Sequence, residues 1–379
     1  MKFNEDCRFF RADRPCRFHK TDTRRCEGCR DYAPVKESIL IIKLGAMGDV
    51  LRTTAILPPL AKEYPDAGLV WLTLPESVDL LANHPNLREI HPLDAAAVAM
   101  LQVREFCVCI NLDLGPDSLA LAALARAEHK IGYSLGYHGE PVILNPEAEE
   151  WYHMSHSDEL KRRNRRTYQE HMFSILGLPP DDTGIIVNCP GNERAFAREW
   201  LREKTGGDPK GPVVGLNLGA GGRWKQKAWP VERFGALAHL LHETDGATIL
   251  LLTGEGEKEA KEILTNNIST PLYDPGSHNP LPRFAAFVNL CDVVVTGDTL
   301  ALHTALGLRR RVVALFGPTS MAEIEMYGQG RKIGSGLDCL ECYRETCDKH
   351  PNCMELITVE MVHEAVEQEL RLAREGNKR

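Results

Sequence analysis

Short apolar runs alternate with amphipathic stretches along most of the chain. In its first half the apolar runs begin near residues 39, 69, 89, 106 and 130. Helical patterns lie between them at about 50–63, 76–83, 95–104 and 117–127. Strands that alternate with helices of this length form βαβ units. The pattern therefore predicts an α/β fold built on a parallel sheet.

The second half repeats this alternation. Its apolar runs begin near residues 213, 248, 271, 293 and 312. Its helical patterns lie at about 231–243, 256–266, 281–290 and 300–307, and near 321–327. The segments PPDDTG and GGDPKGP flank a polar helical stretch at 191–203 and mark the boundary there. We therefore predict a Cys-rich extension (1–37), a first domain (38–190) and a second domain (191–379), whose last helix, 358–375, could cross back to the first.

Two strand-to-helix junctions carry an acidic residue each. Asp49 lies in ILIIKLGAMGDVLRTT, and Asp298 lies in DVVVTGDTLALHTALG. In open α/β sheets, ligands bind where the carboxyl ends of strands and the N-termini of helices converge. The two junctions therefore indicate two half-sites.

Length and charge narrow the class of protein. At 379 residues the chain is longer than one hydrophobic core usually supports. A net charge of -8 argues against a protein that grips nucleic acid, which needs a basic face. No apolar stretch reaches the roughly 20 residues that span a bilayer, and the N-terminus lacks the apolar run of a signal peptide. We expect a cytoplasmic protein whose cysteines are metal ligands or core residues rather than disulfides.

Five segments together resemble glycosyltransferase family 9, the bacterial ADP-heptose:lipopolysaccharide heptosyltransferases. They are, in order, KLGAMGDVLRTTAILPPL, LNLGAGGRWKQKAWP, LLTGEGEKEAKEI, GDTLALHTALG and VVALFGPTS. Each segment alone is weak, but the five in this order make the resemblance specific over roughly residues 38–370. The chain departs from the family pattern D-T-G-x-x-H at one position, where Leu300 replaces the glycine.

The resemblance implies a fold and an activity. The fold is GT-B, two Rossmann-like domains that face each other across a cleft. The activity is an inverting transfer of a heptosyl or similar unit from an ADP-linked donor to the lipid A-core saccharide of lipopolysaccharide, with no cofactor required for catalysis. The implied location is cytoplasmic, peripheral on the inner face of the cytoplasmic membrane, with no nucleic acid partner.

Asp49 is the predicted general base. A hydroxyl that attacks a sugar must lose its proton as the bond forms, and in an inverting displacement the base lies opposite the leaving group. The alternative is that Asp49 is the N-cap of the following helix. Gly45 and Gly48 fit either a close approach of ligand to backbone or a tight turn.

The leaving diphosphate needs fixed donors or cations. The helix after TGDT offers its N-terminus, with Asp298, Thr299 and His303 beside it. Lys227 is the second element, because the resemblance assigns this lysine to the donor phosphate, and Lys225 is its neighbouring competitor. The alternatives are an ordinary helix with a buried histidine and a solvated surface lysine.

Further residues are predicted to bind the donor or the acceptor. Gly219, Gly254, Glu255 and Glu257 belong to the donor side, with Glu255 preferred to Glu257 as the partner of the ribose hydroxyls. The run EGEKEAKE could also be a solvated helix face. Acceptor contacts are predicted for Lys43, Arg52 and Arg163. Arg163 lies in KRRNRR (161–166), which could equally be solvated surface or face anionic lipid.

Eight of the twelve cysteines form two groups in short polar segments. Cys7, Cys16, Cys26 and Cys29 precede the first strand, and Cys339, Cys342, Cys347 and Cys353 follow the last strand of the second half. Four nearby thiolates fit a structural zinc site, with an iron-sulfur cluster as the rival. His19 and His350 are alternative ligands. We favour metal binding at the first group over the second, whose thiols could be unliganded.

Other functions are weighed against the transferase. A nucleotide-sugar epimerase of the same architecture would need a second acid or base opposite Asp49. An NAD-linked oxidoreductase is disfavoured because no G-x-G-x-x-G follows either opening strand. A non-catalytic Cys-rich metal-binding or sensor protein on a transferase scaffold would not need Asp49 or Lys227.

Overall fold

The computed structural model describes residues 2–219 and 225–376. Contacts divide the chain into two compact units. The first unit comprises Met1–Ala46, Ala55–Tyr152 and Glu170–Asp181, and the second comprises Met47–Thr54, His153–Gln169 and Asp182–Arg379. The two units are therefore interleaved along the chain, whereas the predicted domains 38–190 and 191–379 are each continuous.

The strands and helices follow the predicted alternation. The strands are β1 (Glu37–Ile42), β2 (Ala67–Thr73), β3 (Leu87–Pro92), β4 (Glu105–Asn111), β5 (Arg126–Leu135), β6 (Pro141–Ile143), β7 (Val213–Leu216), β8 (Thr248–Leu251), β9 (Leu272–Tyr273), β10 (Val293–Gly297), β11 (Arg311–Phe316) and β12 (Gly330–Gly334). The helices are α1 (Arg17–Asp22), α2 (Met47–Thr53), α3 (Leu57–Glu63), α4 (Val78–Leu81), α5 (Ala95–Val103), α6 (Pro116–Leu124), α7 (Glu149–Ser155), α8 (Asp158–Arg163), α9 (Tyr168–Leu176), α10 (Gly191–Thr205), α11 (Val231–Asp245), α12 (Lys258–Asn266), α13 (Leu281–Val288), α14 (Leu300–Gly307) and α15 (Val359–Gly376).

Among the described residues the strands form two six-stranded sheets. Their orders are β3-β2-β1-β4-β5-β6 and β12-β11-β10-β7-β8-β9. Neighbouring strands run parallel except β5 and β6, which are antiparallel. Both orders are doubly wound, so each sheet has a switch point beyond the carboxyl ends of two central strands, β1 with β4 and β7 with β10. The predicted α/β fold class is confirmed.

Alternate residues of the second sheet point to opposite faces, as the pleat of a strand requires. Val293 and Val295 pack in one core with residues of α11 and α15, and Val294 packs in another with residues of α10, α13 and α14. The apolar face of α15 thus lies in the core of the second unit. The suggestion that the last helix crosses back to the first domain is therefore wrong.

Several details differ from the sequence-based elements. The segment 321–327 is a series of turns rather than a helix. The helix expected at 117–127 ends at Leu124, because β5 already begins at Arg126. The strands β6 and β12 were not predicted, since they are short and lack an apolar run. In the part of the chain that the structure describes, no helix is both long and apolar enough to cross a membrane.

Candidate active site

The switch point of the second sheet is organised by Asn217, the residue that follows β7. Its side-chain oxygen accepts hydrogen bonds from the hydroxyls of Thr296 (3.0 Å) and Thr299 (3.1 Å), and its amide donates to the carbonyl of Leu252. The hydroxyl of Thr299 thus has partners within the fold, and its predicted contact with the donor stays a prediction. Sequence reasoning missed Asn217; a polar residue directly after a buried strand was the signal.

Lys227 and Asp298 form an ion pair at the same switch point. The ammonium of Lys227 donates to the carboxylate of Asp298 at 2.9 Å, and the two side chains are 13% and 21% exposed. Burial alone would raise the pKa of Asp298, but the charges of Lys227, His303 and Arg52 together lower it to about 2. Asp298 is therefore ionised at neutral pH and holds Lys227 in place. The side chain of the competing Lys225, like residues 220–224, lies outside the described residues.

His303 lies buried in α14, with Nε2 3.9 Å from a carboxylate oxygen of Asp298. Burial and the charge of Arg52 lower its pKa to about 4, although Asp298 and Asp49 oppose the shift. The imidazole is therefore neutral at pH 7. A Cβ on Gly48 would lie 3.1 Å from the histidine ring, so α2 approaches α14 at a residue without a side chain.

Asp49 is the third residue of α2 rather than its N-cap, because the helix begins at Met47. One of its carboxylate oxygens lies 2.8 Å from Nη2 of Arg52. Asp49 also acts electrostatically on His303, as Asp298 does. The predicted base and the predicted donor residues therefore belong to one cluster in the second unit.

Arg52 is largely buried and contacts several members of this cluster. Its guanidinium lies 3.8 Å from the ring centroid of Tyr168, and its Nη1 lies 3.8 Å from Oε2 of Glu323. Burial alone would lower the pKa of Arg52, but Asp49 and Glu323 raise it, so the guanidinium stays charged. Arg52 was predicted to contact the acceptor; that role stays a prediction.

Glu323 is a second residue that sequence reasoning missed. Burial raises the pKa of its carboxyl, although Arg52 and the hydroxyl of Tyr343 oppose this shift. The backbone carbonyl of Glu323 accepts the N–H of Tyr168 at 2.9 Å. No pattern in the sequence indicates this carboxyl, because it lies in the turns that were predicted as a helix near 321–327.

The acidic loop after β8 separates its two glutamates. Glu255 is exposed and pairs with His278 at 2.7 Å. Glu257 accepts the N–H of Gly254 at 2.6 Å, and a Cβ on Gly219 would lie 2.6 Å from its other carboxylate oxygen. Glu257, rather than Glu255, therefore lies beside the chain that leaves β7.

Lys43 lies at the switch point of the first sheet. Its side chain is 5% exposed and forms an ion pair with Asp113. Asp113 also accepts the backbone N–H groups of Leu44 (2.6 Å) and Gly45 (3.0 Å). Lys43 therefore has a structural partner, and its contact with the acceptor stays a prediction.

Arg163 lies at the end of α8 and is exposed. Its guanidinium pairs with Glu159 one turn earlier, at 2.6 Å. With Arg162 and Arg165 it borders a surface depression of about 540 Å³ that Asp338 and Glu341 also line. The depression is therefore mixed in charge rather than uniformly basic.

All twelve cysteines, which lie within the described residues, are free thiols. Cys7, Cys16, Cys26 and Cys29 line one cavity of about 940 Å³, together with His19. In the second group, burial raises the pKa of the Cys353 thiol, with smaller contributions from Cys342 and Cys347. The first predicted group thus lines a single cavity.

A group outside both cysteine clusters places three potential metal ligands close to one another. Within residues 2–219 and 225–376, three such atoms lie within 4.8 Å of one another at Asp245, His363 and Glu367. His363 contacts Asp245 at 3.0 Å, which is an ordinary ion pair or hydrogen bond between α11 and α15. Neither predicted cysteine group meets this distance, so metal binding there stays a prediction.

Two doubly wound sheets with charged residues at their switch points define an α/β protein of two Rossmann-like domains. The model of glycosyltransferase family 9 (heptosyltransferase) matches residues 105–352, more than half of the chain. The chain belongs to this family and is a glycosyltransferase. It is 19% identical to the lipopolysaccharide core heptosyltransferase OpsX of Haemophilus influenzae over 303 residues, which are 75% of this chain and 80% of that protein.

Solved structures show the same fold. The family 9 glycosyltransferase of Veillonella parvula aligns with a TM-score of 0.73 at 19% identity, over 89% of this chain and 98% of that one. The ADP-heptose lps heptosyltransferase II of E. coli aligns with a TM-score of 0.66 at 17% identity, over 89% and 99%. The iron-containing dodecameric glycosyltransferase TibC of enterotoxigenic E. coli aligns with a TM-score of 0.55 at 14% identity, over 89% and 77%. The predicted GT-B fold and family are confirmed.

Proposed function

We propose that this protein transfers a heptosyl unit from an ADP-linked donor to the core saccharide of lipopolysaccharide, with inversion at the anomeric carbon. The family and the names of its relatives support the reaction class and the substrates. One structural observation supports the site. Asp49, Arg52, Lys227, Asp298 and His303 form one electrostatic cluster at the switch point of the second sheet.

The roles follow from charge and position. The carboxylate of Asp49 accepts the proton of the acceptor hydroxyl while the oxygen of that hydroxyl attacks the anomeric carbon. The bond to the diphosphate breaks on the opposite face, and the leaving ADP takes the electron pair. Lys227 exchanges its contact with Asp298 for the diphosphate, whose charge it stabilises.

The N-terminus of α14 supports the same anion. Thr299 is the N-cap of this helix and makes no side-chain capping hydrogen bond within the described residues. The first N–H groups of the helix therefore remain for a diphosphate, which the helix dipole also favours. Glu257 is better placed than Glu255 to bind the ribose, because it lies against Gly219.

The acceptor and the location of the enzyme belong to the same proposal. Arg163 and its neighbours bind phosphate groups of the lipid A-core acceptor, which brings the enzyme to the inner face of the cytoplasmic membrane as a peripheral protein. Donor and acceptor suffice for this chemistry.

The first test is calorimetric titration of the purified protein with ADP, UDP, GDP and NAD in parallel. ADP selectivity supports the proposal, and product formation from ADP-heptose with a core saccharide acceptor, with the anomeric configuration read by NMR, completes it. Preference for UDP or GDP would change the donor. No nucleotide binding would overturn the transferase and favour a Cys-rich binding protein.

The N-terminal cysteines are proposed to hold a structural zinc ion, with an iron-sulfur cluster as the rival. The residues fit, since Cys7, Cys16, Cys26, Cys29 and the alternative ligand His19 line one cavity. Elemental analysis of the purified protein should find about one metal per chain, lost in a Cys26→Ser/Cys29→Ser double variant. Loss in a Cys342→Ser/Cys347→Ser variant instead would assign the metal to the second group.

A further inference from the structure

A chain of polar contacts runs from the Cys-rich segment 339–353 to Asp49. The hydroxyl of Tyr343 donates to Oε1 of Glu323 at 3.1 Å and accepts the N–H of Ser320 at 3.2 Å. The other carboxylate oxygen of Glu323 faces Arg52 at 3.8 Å, and Arg52 contacts Asp49 at 2.8 Å. One hydroxyl and three charged side chains are thereby linked in series.

The turns that carry Glu323 are fastened to this segment at further points. The N–H of Met321 donates to Oε1 of Glu341 at 2.7 Å. The backbone N–H groups of Glu341 and Tyr343 donate to the carbonyls of Gly317 and Pro318 at 2.9 and 2.8 Å. Because 321–327 has no helix or strand of its own, these bonds contribute to the position of the Glu323 carboxylate, together with the hydrogen bond from Tyr168 to its backbone carbonyl.

Arg52 depends on Glu323 for its orientation. Its guanidinium carbon lies 3.8 Å from the ring centroid of Tyr168, a contact that holds the group near the ring but does not select which of its N–H groups face a carboxylate. Carboxylates on two sides, Asp49 and Glu323, remove that freedom. Glu323 also shares the positive charge of Arg52 with Asp49 and Asp298.

We propose that Glu323 and Tyr343 are positioning residues of the transferase, which hold Arg52 so that the carboxylate of Asp49 is aimed at the acceptor hydroxyl. The proposal rests on the proposed role of Asp49 as base. It gives the segment 339–353 a function that does not depend on whether its cysteines bind metal. Glu323 and Tyr343 act through Arg52, so they are expected to affect turnover and not nucleotide binding.

The test compares Glu323→Gln and Tyr343→Phe with matched controls elsewhere in the chain. Glu369→Gln removes the charge of another buried carboxylate, which pairs with Arg311 and Arg331. Tyr133→Phe removes another buried hydroxyl, which donates to the carbonyl of Ala148 at 2.8 Å. Both controls lose a buried interaction without touching the cluster.

With ADP-heptose and a core acceptor, we expect kcat to fall about tenfold in Glu323→Gln and about threefold in Tyr343→Phe, the range that loss of one ordinary intramolecular polar contact allows. The KM for ADP-heptose and the Kd for ADP should stay within twofold, and the controls should keep wild-type kcat. Unchanged kcat in both variants, or an equal fall in the controls, would overturn the inference.

A second readout separates this inference from the proposed function. If the wild-type enzyme transfers nothing from ADP-heptose, the proposed function fails, and crystal structures of the two variants still decide the positioning role. Displacement of the Arg52 guanidinium from Asp49 in Glu323→Gln supports the role. An unmoved guanidinium in both variants contradicts it.

Discussion

A lysine and an aspartate meet at the switch point of each sheet, Lys43 with Asp113 in the first and Lys227 with Asp298 in the second. The first pair is closed: its side chains are 5% and 14% exposed, and Asp113 also accepts two backbone N–H groups. The second pair is more open, and it adjoins His303 and the start of α14. The same two residue types thus fasten a loop in one sheet and border a candidate ligand site in the other.

A charged pair at a switch point therefore does not by itself define a binding site. The groups around the pair determine whether it can bind a ligand. Backbone N–H groups saturate the carboxylate of Asp113, whereas the carboxylate of Asp298 holds a lysine that a stronger anion could attract away.

The largest effect is expected from Asp49→Asn in the cluster of the second unit. The amide cannot accept the acceptor proton, so kcat should fall about a thousandfold, within the range of general-base catalysis. The Kd for ADP should stay within twofold. A transfer assay measures kcat, and calorimetric titration measures the Kd for ADP.

The matched control is Asp94→Asn, at the N-cap of α5, where asparagine caps as well as aspartate. It should leave kcat unchanged. Wild-type turnover in Asp49→Asn would remove Asp49 from the role of base.

Substitution of the two lysines tests the comparison directly. Lys227→Met should weaken ADP binding about hundredfold, because a cation is lost from the diphosphate site. Lys43→Met should instead lower the free energy of unfolding by about 3 kcal/mol, because it removes one partner of a buried ion pair. Calorimetric titration and urea unfolding of both variants provide the four values. If Lys43→Met weakened ADP binding as much as Lys227→Met, the two switch points would not differ in function.

Two buried histidines, one in each unit, allow the comparison to be tested through the pH dependence of the free energy of unfolding. Burial lowers the pKa of His84, in the first unit, and burial with Arg52 lowers that of His303, each to about 4. The unfolded chain binds a proton near pH 6.5 and the folded chain only near pH 4, so each histidine lowers the free energy of unfolding as the pH falls through that window. The loss from pH 7 to 4.5 is roughly 2 kcal/mol per histidine.

Urea unfolding at both pH values should show this loss reduced in His84→Gln and in His303→Gln alike. Asp298 adds little slope in this window, because its lowered pKa makes its contribution fall mainly below about pH 4.5. Only His303→Gln should also weaken ADP binding. An equal loss of ADP affinity in His84→Gln would contradict the difference between the two switch points.

The order of strands and helices could be predicted from the sequence, because apolar runs such as ILII at 39 and VVVT at 293 are buried strands bounded by clear turns. Asp49 and His303 could be proposed because they follow such strands, whereas Lys227 was assigned by the family resemblance. Their neighbours could not. Glu323 lies in turns that are held by hydrogen bonds to Glu341 and Tyr343. No local sequence pattern indicates these hydrogen bonds.

The choice between the two glutamates shows a similar limit. The family resemblance placed the nucleotide contacts in this loop, with Glu255 as the first choice. In the structure Glu255 turns outward to His278, and the capping hydrogen bond to Gly254 draws Glu257 towards Gly219 instead. A capping interaction of this kind is a detail of backbone geometry, which spacing alone does not determine.

The smallest expected effect compares these two glutamates. Glu257→Gln should weaken ADP binding about tenfold, because a carboxylate that accepts ribose hydroxyls is replaced by a neutral amide. Glu255→Gln, the matched control, should change the Kd for ADP less than twofold. Titration with 2′-deoxy-ADP sharpens the result: the wild type should prefer ADP, and Glu257→Gln should lose most of that preference. A loss of preference in Glu255→Gln instead would restore the order that the sequence suggested and would place the ribose further from Gly219.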